Sequence, residues 1–221
     1  MTRQLPYILL ATLMLFSCSL KQEEKAQRSM YYWRTVFSLS KEEYGFLHDR
    51  DVKRLYIRYF DVALNDNGEP MPNATLKMRE EGLGIKDVAD EGMEIIPTVY
   101  IMNDCMAQRH DGIAEKLLRR VMQMNETHSI KGVKEIQIDC DWTVKTRAVF
   151  FSFLEELRQK AAMEGISLSA TIRLHQLSQP VPPVDRGVLM VYNTGDVTRL
   201  DCHHPILDLK DFEKYLPNLK E

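Results

Sequence analysis

From Tyr31 onward the chain alternates short β-rich runs with helix-period stretches, separated by polar loops. The strand candidates are residues 31–37, 54–60, 94–101, 134–141, 167–174 and 188–193, rich in branched and aromatic side chains. Between them, Phe150, Phe153, Leu154 and Leu157 recur at three- and four-residue steps beside Glu155, Glu156, Arg158 and Lys160. Ile113, Leu117, Leu118 and Val121 do the same beside Lys116, Arg119 and Arg120. Both stretches predict amphipathic helices packed on a sheet. Gly165 follows the Phe150 stretch as a C-terminal stop, and Gly132 separates the Ile113 stretch from the next strand. Strand–helix–strand units with right-handed crossovers make the strands parallel, either in a barrel or in an open doubly wound sheet.

The strand interiors discriminate between the two. Along Ser167 to His175 the residues alternate, with Leu168, Ala170, Ile172 and Leu174 on one face and Ser169, Thr171, Arg173 and His175 on the other. The run from Ile136 to Asp141 repeats the pattern, setting Ile136, Ile138 and Cys140 against Gln137, Asp139 and Asp141. A sheet buried under helices on both sides is usually apolar on both faces. One apolar and one polar face suits a barrel, whose outer side meets helices and whose inner side lines a site. The expected architecture is an α/β fold of (β/α)8 TIM-barrel type, incomplete at about six βα units where a full barrel takes eight and about 250 residues.

The leader adds an address. Arg3, an apolar run from Leu5 to Phe16 and a small residue before Cys18 form an export signal, too short for the roughly 20 residues of a membrane span. Leu15-Phe16-Ser17-Cys18 resembles the lipobox of bacterial lipoproteins, with Phe16 where a small or aliphatic residue is usual. That resemblance implies cleavage before Cys18, lipidation of its thiol and a lipid-anchored protein of the bacterial cell envelope, at the outer membrane. The alternative is an ordinary secretory leader. The expected organisation is a signal peptide at 1–17, a lipidated Cys18 with a polar tether to residue 30, and a partial barrel over 31–221.

Composition narrows the function classes. The chain is 44% hydrophobic and 28% charged, as in globular proteins, and its 29 basic and 32 acidic residues give a formal charge of −3. No basic stripe with interleaved aromatics is present, which argues against nucleic acid as a partner. Beyond Cys18, Cys105, Cys140 and Cys202 form no disulfide framework. Cys202-His203-His204 lacks a second ligand pair at zinc-like spacing, so no metal and no cofactor are expected. Asn73 and Asn125 begin glycosylation acceptor triplets, which matter only in a eukaryotic secretory pathway.

The chemistry gathers at the fourth strand. Residues two apart on a strand point the same way, so Asp139 and Asp141 can share a site at the strand's C-terminal end, where barrel active sites lie. They are the candidate catalytic pair, offering one acid and one base, or else a scaffold bonded to neighbouring strand ends and Arg173. Arg58, Gln137 and Arg173 would project beside them as donors to a glycan, or as ion pairs within a polar barrel. His175 and Tyr192 would close the site, Trp142 would stack on a sugar ring or pack under a loop, and Trp33 is assigned to the core.

The run Gly132 to Thr143 resembles the fourth strand of chitinase-like glycoside hydrolases, with Asp139 and Asp141 at the aspartate positions and Thr143 where the acid–base Glu stands. Met190-Val191-Tyr192-Asn193 is similar to that family's sixth-strand Met-x-Tyr-Asp, with Asn193 replacing the Asp. Over its whole length the chain also resembles uncharacterised, often exported bacterial barrel proteins, through Gln137, Asp139, Asp141, Ser169 and Thr171. The resemblance implies a glycosidase-like barrel handling carbohydrate. Because Thr143 cannot protonate a leaving group, either Asp61, Asp104 or Asp196 supplies the acid or the protein binds glycan without cutting it. An envelope scaffold with a vestigial site is the third possibility.

Overall fold

A computed structural model describes residues 26–79, 82–192, 194, 204 and 206–219. The leader, Cys18, Asn193, Asp196, Cys202 and His203 lie outside these residues. The main sheet holds six parallel strands in chain order: β1 (Arg28–Tyr32), β3 (Val52–Leu64), β6 (Glu94–Ile101), β7 (Glu135–Asp139), β8 (Ser167–Arg173) and β9 (Arg186–Met190). The short β4 (Pro70–Asn73) returns antiparallel on β3, while β2 (Val36–Phe37) pairs separately with β5 (Lys77–Met78). Helices α1 (Lys41–Asp49), α2 (Ile85–Asp90), α3 (Ile113–Thr127) and α4 (Arg147–Met163) occupy the successive crossovers, and α5 (Leu209–Glu213) follows β9.

This strand order is that of a barrel, because a doubly wound sheet would reverse its order after the first strands. Curling is visible in a single bond. The Tyr31 hydroxyl on β1 donates to Gln137 Oε1 on β7 at 2.8 Å. Those strands are three places apart, about 14 Å on a flat sheet, so the two side chains meet only across a concave face. The described chain is a curled, six-stranded half-barrel of TIM-barrel type.

The helix side of the sheet holds the core. Ile57, Tyr59, Phe60, Val99, Ile101, Ile136, Ile138, Leu168 and Ala170 are fully buried there, against Leu117, Val121, Phe150, Leu154 and Leu157 from α3 and α4. Each of the Val, Leu, Ile and Phe side chains among them contributes roughly 1.5–3 kcal/mol when taken from water. Gly165 (φ 70°) ends α4 and Gly132 (φ 71°) precedes β7, both left-handed as turn positions require. Asn125, within an acceptor triplet, is buried in α3 and accepts the Tyr59 hydroxyl at 2.8 Å.

Several boundaries differ from the expected ones. Residues 28–30, assigned to the tether, are the first three of the five residues of β1, and the expected strand 31–37 is broken after Tyr32 into β1 and β2. The strand expected at 188–193 begins earlier, at Arg186. Helix α1 rests on a capping box in which Ser40 Oγ accepts the Glu43 N–H at 3.1 Å and the Glu43 carboxylate accepts the Ser40 N–H at 3.0 Å.

Candidate functional site

The concave face is polar almost throughout. Register carries Thr98 of β6 to Gln137 of β7, Ser169 of β8 and Arg186 of β9, and one step nearer the strand C-termini it pairs Tyr100 with Asp139. A bulge in β3 completes these rows. Arg58 pairs with Thr98 and Phe60 with Val99, so Tyr59 is an extra residue and the phase of the strand changes there. Arg58 and Asp61, three apart, therefore face the same way as Thr98 and Tyr100. Arg58 Nε donates to Asp61 Oδ1 at 2.6 Å and its terminal nitrogen bonds the other carboxylate oxygen.

Asp139 ends β7 with its side chain 5% exposed. Its Oδ1 accepts the Thr171 hydroxyl at 2.5 Å and an Arg173 N–H at 2.9 Å. Burial pushes this carboxyl above the ordinary aspartate range, while Thr171 and Arg173 pull it partly back. Asp141, just beyond the strand, is half exposed and accepts Arg173 Nε at 2.5 Å. One guanidinium thus joins both carboxylates, and it lies 5.6 Å from the centroid of the Tyr192 ring.

These groups border a cleft of about 300 Å³ lined by Trp33, Arg58, Tyr100, Asp139, Met190 and Tyr192. Trp33 and Tyr192 are 38% and 43% exposed, and Arg58, Tyr100 and Asp139 line the same cleft. Trp33 stacks on Tyr31 with centroids 5.4 Å apart, and Tyr31 continues onto Tyr56 at 4.8 Å. Burial, then the Asp141 and Asp139 carboxylates, hold the Tyr100 hydroxyl above its ordinary value, so it is a neutral hydrogen-bonding group. The arrangement can offer an aromatic surface to a ring and donors and acceptors to its edge.

Asp139, Arg58 and Tyr192 come together in this cleft, with Asp141 joined through Arg173. The other expected residues are placed elsewhere. Gln137 is fully buried beneath the cleft between Tyr31 and Ser169, the latter at 3.5 Å. His175 is exposed on a 3-10 turn, Leu174–Gln176, because β8 ends at Arg173 and the strand alternation ends with it. Trp142, expected either to stack on a sugar or to pack under a loop, is 1% exposed and packs on Phe150 and Phe151, whereas Trp33, expected in the core, lines the cleft. Tyr100 and Met190 line the cleft without being expected there, although Met190 opens the Met190-Val191-Tyr192-Asn193 motif. Tyr100 follows Thr98 at strand spacing, a signal obscured by the apolar run Ile95-Ile96-Pro97.

Thr143 is exposed in the turn before α4, its N–H donating to Thr146 Oγ1 at 2.9 Å. Of the alternative acids, Asp61 is committed to Arg58 and Asp104 is exposed on the 3-10 turn Asn103–Met106. No group of three or more His, Cys, Asp or Glu residues suited to a metal ion occurs among the described residues.

No protein-family model matches the chain, and no curated protein sequence matches it. Solved structures do. The spore cortex-lytic enzyme SleL of Bacillus megaterium superposes with a TM-score of 0.56 at 11% identity, covering 87% of this chain and 48% of that one. Catalytic domain 2 of the Ostrinia furnacalis Group II chitinase gives 0.56 at 9% identity, covering 88% and 61%. A chitinase of Chromobacterium violaceum gives 0.54 at 11% identity, covering 86% and 63%. A mutant of the Ostrinia domain is solved with penta-N-acetylchitooctaose, at a TM-score of 0.53, 10% identity and coverage of 88% and 61%. The fold resembles that of chitinases and spore cortex-lytic enzymes. The chain spans about half to three-fifths of the length of these neighbours.

Proposed function

We propose that this protein is a lipid-anchored component of the bacterial cell envelope that binds glycan in the cleft between Trp33 and Tyr192 without hydrolysing it. The observation that carries the reading is the pairing of two exposed aromatic side chains with the Arg58, Asp139 and Tyr100 polar groups at the C-terminal ends of barrel-like strands. Aromatic faces cover the apolar faces of a sugar ring while the polar groups take its hydroxyls. Arg173 keeps Asp139 and Asp141 oriented. The argument against turnover is the absence of a carboxylic acid at Thr143, since loss of a general acid typically costs about 10²- to 10⁴-fold in rate.

Titration of the mature protein with chitooligosaccharides and peptidoglycan fragments should give saturable binding, weakened by Asp139→Asn, with no new reducing ends over hours. Reducing ends that form with wild-type protein and disappear with Asp139→Asn would establish hydrolysis instead, with Asp139 as the acid. That second reading has one observation in its favour, the upward displacement of the Asp139 carboxyl in a cleft. The anchor is tested separately. Metabolic labelling with a fatty-acid analogue should mark the wild-type chain and not Cys18→Ser, and a soluble mature form beginning beyond Cys18 would remove the anchor from the proposal.

A further inference from the structure

On the helix side of the sheet, remote from the polar cleft, a cavity of about 280 Å³ lies between the β3–β4 ribbon and the first turns of α3. Its walls combine two chemistries. Phe60 and Val62 of β3, Pro70, Met71 and Pro72 of β4, and Ile113 and Leu117 of α3 make an apolar chamber. His110, Lys116 and Arg120 add cationic or ionisable nitrogen groups, against Asp111 as the sole acidic lining residue. The Asp111 carboxylate is 91% exposed and accepts Arg109 Nε at 3.1 Å, so it points its charge into solvent.

Two further observations mark this wall as incomplete. Neither Lys116 nor Arg120 has an acidic partner among the described residues, although neighbouring Arg119 on the same helix pairs with Glu115. His110 Nε2 and Arg120 Nε are buried and have no hydrogen-bond partner. Buried polar atoms in native proteins are nearly always partnered, and both orphans belong to residues that line this cavity. The positive end of the α3 dipole lies at the same side of the chamber, with Gly112 at its N-cap and no side chain closing it. A peptide strand is a poor occupant, because Pro70 and Pro72 leave the outer edge of β4 short of N–H donors.

We propose that this cavity binds a small amphiphilic anion, an apolar body with a single carboxylate-like head. The apolar part lies against Phe60, Val62 and Leu117. The head meets the guanidinium of Arg120 and the ammonium of Lys116, and His110 turns its ring to donate to it. The volume is just below the range of small-molecule sites, about 300–1,000 Å³, so the body is a short alkyl chain or one ring.

Octanoate and octanol, titrated into the full chain by calorimetry, are suitable probes because they share the apolar body and differ in the charge. Octanoate should bind at one site, about 10-fold or more tighter than octanol, and Lys116→Met with Arg120→Met should remove that preference while octanol binding stays within about 2-fold. Methionine keeps the apolar stems and the helix propensity at both positions. Equal binding of the two probes to the wild-type protein, or a preference that survives the double substitution, would overturn the proposal, as would no detectable binding of octanoate. Octanoate should leave chitooligosaccharide titrations unchanged, since the two sites lie on opposite sides of the sheet. Competition between the two ligands would place octanoate in the polar cleft and equally refute the assignment.

Discussion

Arg173→Met should cost about 3–5 kcal/mol of stability at neutral pH, because it strands the buried Asp139 carboxylate without its cation. The pH dependence distinguishes this from simple loss of packing. Burial holds the Asp139 carboxyl above the ordinary value of 3.8, so its protonation favours the folded state. Its contribution to stability is therefore complete below about pH 3.8 and is lost as pH rises through the folded value. Without Arg173 the folded value moves further up, and the loss becomes larger and extends to higher pH. Urea denaturation between pH 3.5 and 8 should show the penalty of Arg173→Met shrinking towards acid, where Asp139 is neutral. A penalty constant across that range would mean that Arg173 acts through its aliphatic stem alone.

The two tryptophans should behave as opposites. Trp142→Ala removes a 1% exposed side chain packed on Phe150 and Phe151 and is expected to cost about 3–5 kcal/mol, as large cavities in cores do. Trp33→Ala removes a side chain that is 38% exposed and stacked mainly on Tyr31, and should cost only about 1 kcal/mol. In a chitooligosaccharide titration the order inverts: Trp33→Ala should weaken binding about 10-fold or more, and a still-folded Trp142→Phe should bind like wild type. Loss of binding in Trp142→Phe with full affinity in Trp33→Ala would return the sugar platform to the strand-end tryptophan.

That sequence reasoning misplaces Trp33 and leaves Trp142 open has a physical explanation. Alternation on β7 and β8 is legible because each strand is short, regular and apolar on the helix side, and it assigns Asp139, Thr171 and Arg173 to one face. It works only while the strand lasts. Trp142 lies three residues past the end of β7, and His175 two past the end of β8, where turn geometry decides the direction of the side chain. Trp33, one residue beyond β1, reads as core because an aromatic cluster, Tyr31-Tyr32-Trp33, carries the same hydrophobic signal whichever way it points. Helix α1 is also legible in principle, since Ser40 and Glu43 have capping-box spacing and Tyr44 and Leu47 lie one turn apart, but the stretch is too short to show a repeating apolar period. The cleft as a whole was beyond local reading: it combines five strands' worth of register, and Tyr100 enters it only because β6 pairs with β7 at Asp139.

The extra residue at Tyr59 works as a phase shifter. Before it, β3 sends Tyr56 and Arg58 inward; after it, Asp61 is inward and Val62 outward, with Tyr59 and Phe60 both turned to the helices. A strand of strict period two would place Asp61 in the apolar layer and Phe60 on the polar concave face. The concave chemistry and the helix-side cavity therefore share one origin, a single inserted position whose register both sides of the sheet inherit. Lineages that lose or move that insertion would have to change the two surfaces together, so the polar cleft and the amphiphile chamber are coupled in what sequence variation they can tolerate, although no side chain passes from one to the other.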